Sequence, residues 1–257
     1  MEISLQITHA PTTWEDLQNE VGQILHECGF KVEVEKLIET VRGTVKVDVY
    51  AEDHSRRPEI KYIIECKQWK KRVPKTIAYA IRTVVSDSGA NVGLIVSVVG
   101  FQKGAYDAVK NSPVRLANWQ EFQDIFIDVW IKNFLTPTLS KAADPLIEYT
   151  EPINSRIFRK ANLLSNERQN KFEELRKKYF YLAMFALPLS LSDDFFSTKR
   201  PFQNLPLKES MPQLDLLDVK LSDDILGAST LRELLESLSR HCISATLEFD
   251  EIFGERA

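Results

Sequence analysis

Only three of the 257 residues are cysteine, and Cys28, Cys66 and Cys242 stand far apart. There is no CxxC pair and no histidine at zinc-finger spacing, so neither a disulfide framework nor a zinc site is expected, and reduced thiols in a cytoplasmic protein are. Long apolar runs are missing too. The longest, residues 180–187, is far too short to span a bilayer, and residues 1–5 form neither a basic n-region nor an apolar h-region, so no membrane contact is expected. Positive charge is not in excess: the formal net charge of −4 excludes a nonspecific polycation, although nucleic-acid contact needs only a local basic patch. The four histidines, His9, His26, His54 and His241, are isolated, with no HExxH spacing and no evident nucleophile partner, which reads as surface or capping residues. Gly100 and Gly104 come nearest to a phosphate-cradling loop, but their GxxxG lacks the full glycine pattern and a Walker lysine-serine pair.

What is present is enough apolar material, 44% of the residues, to bury a sizeable core in one large domain or two small ones. Thr12 or Thr13 caps a first helix with Glu15 and Asp16 in its opening turn, an apolar stripe of Leu17, Val21, Ile24, Leu25 and Cys28, and Gly29 at its end. Residues 31–35 and 45–50 alternate as strands; in the second, Val45, Val47 and Val49 make a buried row and Asp48 lies on the polar row with Lys46 and Tyr50. A third strand, residues 62–69, follows a polar loop from Glu52 to Glu59. Pro74 then opens a helix striped with Ile77, Ala78, Ile81, Val84 and Val85, and residues 92–98 read as a strand covered on both faces. Gly100 leads into a helix with Ala105 and Ala108, followed by a strand at 114–117 and a helix from Trp119 to Phe134. This order predicts an α/β fold, a mixed central sheet flanked by helices.

Pro137 and Pro145 mark a boundary, giving residues 1–136 as one domain and 137–257 as a mainly helical C-terminal domain. There, residues 166–187 read as one long helix ended by Pro188, residues 190–213 as an irregular connection, and Thr230 with Glu233 as a capping box. Phe249, Ile252 and Phe253 are apolar enough to dock on their own domain or on a partner. No catalytic constellation is evident in this half. Dimerisation, target recognition and contact with a partner protein all suit it.

The chemistry gathers on residues 62–69, Tyr-Ile-Ile-Glu-Cys-Lys-Gln-Trp. Alternation projects Glu65 and Lys67 together and turns Tyr62, Ile64 and Cys66 the other way. If this strand pairs with its predecessor as a hairpin, Asp48 comes beside Glu65. Two adjacent carboxylates repel, and a hard divalent cation takes oxygen ligands from both; Lys67 is then placed to position a water or offset charge on a phosphate. Lys67, Lys70, Lys71, Arg72 and Lys75 follow with no acid among them. The bland alternatives are a Glu-Lys pair at a sheet edge and a solvated basic loop. A lone ExK arises roughly once by chance in a chain of this size, so the signal lies in the combination.

Asp48, then Glu65-Cys66-Lys67 followed by Gln68-Trp69-Lys70, resembles the D…ExK signature of the PD-(D/E)xK nuclease superfamily, and within it the Mrr-type restriction endonuclease domain. Cys28-Gly29-Phe30 at the helix end, the stretch from Lys70 to Pro74, Val92 to Ser97 and Gly100 to Ala105 fall in that family's order. The likeness covers roughly residues 12 to 130, and the tail carries none. It implies a restriction-endonuclease-like fold and a metal-dependent endodeoxyribonuclease, with Asp48, Glu65 and the Cys66 backbone carbonyl on Mg²⁺ or Mn²⁺ and Lys67 orienting the attacking water. In that superfamily a carboxylate of the first helix often completes the site. Counted back from Gly29-Phe30, the matching position is Gln18 rather than Glu20, so both stay candidates. Lys70, Lys71, Arg72 and Lys75 would hold DNA phosphates, and Trp69 would stack on a base or brace the loop. Restriction or antiphage defence and a homodimer are further implications. Two alternatives stay open: a DNA-binding or scaffold subunit whose nuclease fold is latent without a partner, and a branched DNA or RNA substrate.

Overall fold

Thr13 caps α1 (Trp14–Glu27) reciprocally: its hydroxyl accepts the Asp16 N–H, and the Asp16 carboxylate accepts the Thr13 N–H, each at 3.1 Å. Leu17, Val21, Ile24 and Leu25 recur at helical spacing and are wholly buried. Gly29, at φ 90°, ends the run in a conformation that needs no Cβ. The computed structural model describes residues 5–191, 204–210 and 221–254. These fall into two units, His9–Asn133 and the residues from Phe134 on together with residues 5–8.

The first unit holds a five-stranded sheet, ordered β1-β4-β5-β6-β7, made of β1 (Lys31–Val34), β4 (Val49–Asp53), β5 (Ile60–Lys67), β6 (Val92–Ser97) and β7 (Val114–Asn118). A separate two-stranded sheet pairs β2 (Leu37–Thr40) with β3 (Gly43–Lys46). The pairings among β1, β4 and β5 are antiparallel, and those among β5, β6 and β7 are parallel. Parallel neighbours need crossovers, and α2 (Lys75–Ser88) and α3 (Lys103–Val109) supply them. Both cover one face, where Tyr50, Ile63 and Ile95 share a core with Ala78, Ile81, Val85, Ala105 and Ala108. Tyr62, next to Ile63, points to the other face, where α1 packs on β4 and β5 and α4 (Trp119–Trp130) on β6 and β7. There Phe30 stacks on Tyr62 at 5.6 Å, and Phe126 meets both rings edge-on at 6.0 and 6.4 Å. The fold is the mixed, helix-flanked sheet that the order of elements predicts.

Gly93 sets how closely α2 lies on β6. A Cβ there would stand 2.8 Å from Val85 Cγ2, 2.9 Å from Val114 Cγ2 and 3.1 Å from Ile81 Cγ2. Gly93→Ala is therefore expected to cost about 1–3 kcal/mol by overpacking, read as a lowered midpoint in urea unfolding.

One strand of the sequence reading is two in the structure. Residues 45–50 break at Val47–Asp48, so that Val45 belongs to β3, Val49 to β4, and Asp48 lies between them. Val45 is only partly buried, and Tyr50, expected on a polar row, is buried with its hydroxyl donating to Glu52 at 2.8 Å. The cause is that β3 pairs with β2, a strand the sequence reading omits, and not with the main sheet.

In the second unit, α5 (Thr136–Thr150) follows a π turn at Ile131–Leu135, and then come α6 (Ser155–Ala161), α7 (Asn166–Ser190), α8 (Leu207–Ser210), α9 (Asp223–Gly227) and α10 (Leu231–Phe253). Pro137 and Pro145 mark no loop. Pro137 sits at the start of α5, directly after the π turn with no break in the helical run, and Pro145 lies inside the helix. Pro188 likewise falls inside the last turn of α7, which runs on to Ser190. Much of the irregular connection expected at 190–213 lies outside the described residues, but Leu207–Ser210 is helical. Thr230 caps α10 by accepting the Glu233 N–H at 3.2 Å, while the Glu233 carboxylate takes the Ser229 N–H at 2.8 Å. Phe249 stacks on Tyr149 at 4.7 Å, and Phe172 meets Phe249 and Phe253 edge-on, so these C-terminal aromatics dock within their own unit. Residues 5–8, which the sequence reading groups with the first half, are tied in here: the Leu231 and Arg232 N–H groups donate to the Gln6 and Ile7 carbonyls at 2.8 and 3.0 Å.

Candidate active site

Ile63 belongs to the core under α2 and α3. Glu65 and Lys67, two and four residues on, extend the same face of β5 beyond that core, while Cys66 is buried on the other side. The β4–β5 ladder ends at Val49 opposite Ile64, and one further step of that register sets Asp48 opposite Glu65. Asp48 has left the ladder, and its Oδ2 accepts the Cys66 N–H at 2.7 Å. The carboxylate is thus fixed to the backbone of the strand that carries the other two groups.

Glu65 and Lys67 touch directly, with side chains only 19% and 15% exposed. Burial pushes the Glu65 carboxyl above its ordinary range; contact with Lys67 pulls it back, and the negative charge of Asp48 pushes it further up. Burial, reinforced by both carboxylates, also holds the Cys66 thiol well above its usual value. Alternation turns that side chain to the face opposite Glu65 and Lys67, so the backbone carbonyl is what Cys66 can offer the site.

Among the described residues no three His, Cys, Asp or Glu side chains stand grouped to hold a metal. Two carboxylates and one carbonyl are nevertheless a hard-oxygen set of the kind Mg²⁺ takes, since that ion keeps several waters and seldom uses an all-protein cage. The raised Glu65 carboxyl beside Asp48 is the structural sign of fit, because a divalent cation would offset both the burial that chiefly raises it and the added repulsion from Asp48.

The basic loop is held in place from behind. The Val73 N–H donates to the Gly100 carbonyl and the Gln102 N–H to the Val73 carbonyl, both at 3.0 Å, and Gln102 Nε2 donates to the Arg72 carbonyl at 3.3 Å. Lys70, Lys71, Arg72 and Lys75 are exposed and form no ion pair among the described residues. Trp69 is 42% exposed, with Lys67 Nζ 5.6 Å from its ring centre. Two further residues bear on the loop. Lys103, exposed at the start of α3, adds a charge where Lys75 lies along Gly104, and Gln68 ties the end of β5 to the Pro11 carbonyl at 3.0 Å. Both depend on contacts with distant segments, which no local pattern announces.

Gln18 and Glu20 lie on α1, the helix against β4 and β5. Gln18 is buried, its Nε2 has no acceptor among the described residues, and no hydrogen bond joins it to Asp48 or Glu65; Glu20 is half-buried. Two histidines prove less isolated than the sequence suggests. His54 bridges Glu52 and Glu59 at 3.2 and 3.1 Å. His241 Nε2 meets both Ser222 Oγ and Asp224 Oδ1 at 3.0 Å. A hydrolytic triad needs the hydroxyl and the carboxylate on different ring nitrogens, so this trio lacks that geometry.

A family model described as a restriction endonuclease matches residues 10–126. No curated protein matches the chain. Among solved structures, the crystal structure of a protein of unknown function, AF1548, aligns over 93% of this chain and 97% of its own at 16% identity, with a TM-score of 0.38. No helix among the described residues is long and apolar enough to cross a membrane.

Proposed function

Residues 10–126 belong to the Mrr-type restriction endonuclease family, and on that premise we propose that this domain is a divalent-metal-dependent endodeoxyribonuclease acting in restriction of foreign DNA. The observation that carries the reading is the meeting of Asp48, Glu65 and Lys67 at one end of the β4–β5 ladder. Asp48, Glu65 and the Cys66 carbonyl would hold Mg²⁺ or Mn²⁺, with Gln18 or Glu20 at the α1 side of the site. When bound, the ion would supply Lewis-acid polarisation of the phosphoryl group. Lys67 orients the attacking water and offsets the negative charge that grows on the phosphate as the P–O bond breaks. Partial burial strengthens that interaction, because less water screens it.

Lys70, Lys71, Arg72 and Lys75 bind backbone phosphates, and Trp69 flanks them. Replacing Lys70, Lys71 and Arg72 together with alanine is expected to weaken binding alike on unrelated DNA sequences. It should also flatten the dependence of log K on log salt by about 0.9 for each phosphate that the variant no longer neutralises. Fluorescence anisotropy with labelled duplexes over a salt series reads both; an unchanged slope would place the DNA elsewhere.

The test of the activity is incubation of the wild-type protein with supercoiled plasmid and Mg²⁺ or Mn²⁺, with and without EDTA. Nicking or linearisation that EDTA abolishes is the expected result. Binding without a divalent ion and without any nicking would instead make this a DNA-binding subunit. Preferential cleavage of a branched junction or an RNA run in parallel would change the substrate while keeping the site.

A further inference from the structure

The hairpin that delivers Asp48 is bent with no residue inserted. β1–β4 and β2–β3 share one register: Val34 faces Val49, and three residues further on Leu37 faces Lys46. Pairing continues through the gap, where the Glu35 N–H donates to the Asp48 carbonyl at 2.8 Å and the Val47 N–H to the Lys36 carbonyl at 2.9 Å. Yet β2 and β3 leave the main sheet at this point and form a sheet of their own. The backbone departure that accompanies the bend is Glu35, at φ 56°. The other described non-glycine residue at positive φ is an asparagine, Asn111, a type that tolerates the left-handed region; glutamate does so poorly.

We propose that Glu35 is a positioning residue for Asp48: its left-handed backbone bends the hairpin so that the Asp48 carboxylate reaches the Cys66 N–H and the flank of Glu65. This rests on Asp48 being a metal ligand, as set out above. Unbent, the same register would carry Asp48 on along the ladder as an ordinary strand residue. The Glu35 side chain also pairs with Lys46 at 2.7 Å, but both are about half exposed, and such pairs contribute little. The conformation is what matters, not the charge. Strain held at a residue opposite a functional carboxylate has this rationale, since the surrounding pairing fixes what the residue alone would avoid.

The test is Mn²⁺ binding by isothermal titration calorimetry, without DNA, on the wild-type chain, Glu35→Gly, Glu35→Gln, Glu35→Val and Asp48→Ala, with plasmid cleavage measured alongside. Glu35→Gly and Glu35→Gln are expected to bind Mn²⁺ within about twofold of wild type, since glycine takes φ 56° freely and glutamine keeps the backbone as it is. Glu35→Val, whose branched side chain resists that region, should weaken binding by about tenfold or more, the size of effect seen when the support of a metal ligand is lost. Wild-type affinity in Glu35→Val overturns the inference, as does a tenfold loss in Glu35→Gly. Should Glu35→Val not fold, Glu35→Ala takes its place: weaker Mn²⁺ binding than in Glu35→Gly supports the inference, and equal binding overturns it. Asp48→Ala separates the two levels. If it binds Mn²⁺ and cuts like wild type, the reading of Asp48 itself fails; if it loses both while Glu35→Val is unaffected, only the role of Glu35 fails.

Discussion

Glu65→Gln is expected to cut plasmid DNA about 10³-fold more slowly than the wild-type protein and yet to melt at a higher temperature. The loss follows because Glu65 is one of the two carboxylates proposed to hold the metal. The gain follows from where that carboxylate sits. Burial, with the charge of Asp48 adding to it, raises the Glu65 carboxyl despite the nearby Lys67. A carboxyl raised by folding binds its proton more tightly in the folded chain than in the unfolded one. Stability therefore falls as pH rises from the ordinary carboxylate range through the raised value, and the whole deficit is present above it. Glutamine has no proton to lose, so its advantage in melting temperature is full at neutral pH and closes in acid, below the ordinary carboxylate range. Lys67→Ala should lose cleavage to a similar degree and melt lower at neutral pH, because it leaves Glu65 buried without its counter-charge. Melting curves at several pH values beside cleavage rates at one pH read all of this. An advantage of Glu65→Gln that does not change with pH, or cleavage that survives in either variant, would remove Glu65 from the site.

Trp130→Ala is expected to destabilise the nuclease unit by about 3–5 kcal/mol, which lowers its melting temperature by roughly 10 °C or more. Trp130 is wholly buried near the end of α4, and its Nε1–H donates to Glu27 Oε2 at 2.6 Å across to α1. Truncation opens a large cavity and also takes that donor from a carboxylate that is itself buried. Trp130→Phe divides the two effects, since it keeps most of the ring and loses only the N–H. Calorimetry of the three proteins should rank them wild type, then phenylalanine, then alanine. An alanine variant that melts with the wild type would mean that the α1–α4 contact contributes nothing to the fold.

Much of the nuclease unit is legible in the sequence because its signals are local. Thr13 and Asp16 cap α1 within four residues, Leu17 to Leu25 trace its buried stripe, and Gly29 stops it; Pro74 and Gly89 bracket α2 in the same way. The alternation of residues 62–67 separates Glu65 and Lys67 from Ile64 and Cys66 with no knowledge of any partner strand. Less was legible in the helical unit. Pro137 and Pro145 read as a boundary, yet both are accommodated within α5, one directly after the π turn and one inside the helix, and residues 5–8 join that unit through hydrogen bonds to α10.

The sequence by itself determined the residue types of the candidate site, the face on which Glu65 and Lys67 stand, and the basic run that follows, since each depends on spacing within one segment. Only the tertiary structure decided that residues 45–50 are two strands, that Glu35 takes φ 56° in the hairpin opposite Asp48, and that the Asp48 carboxylate is held by the Cys66 N–H. The physical reason is that these rest on backbone hydrogen bonds between segments and on one backbone dihedral. Neither leaves a periodic trace in the side chains.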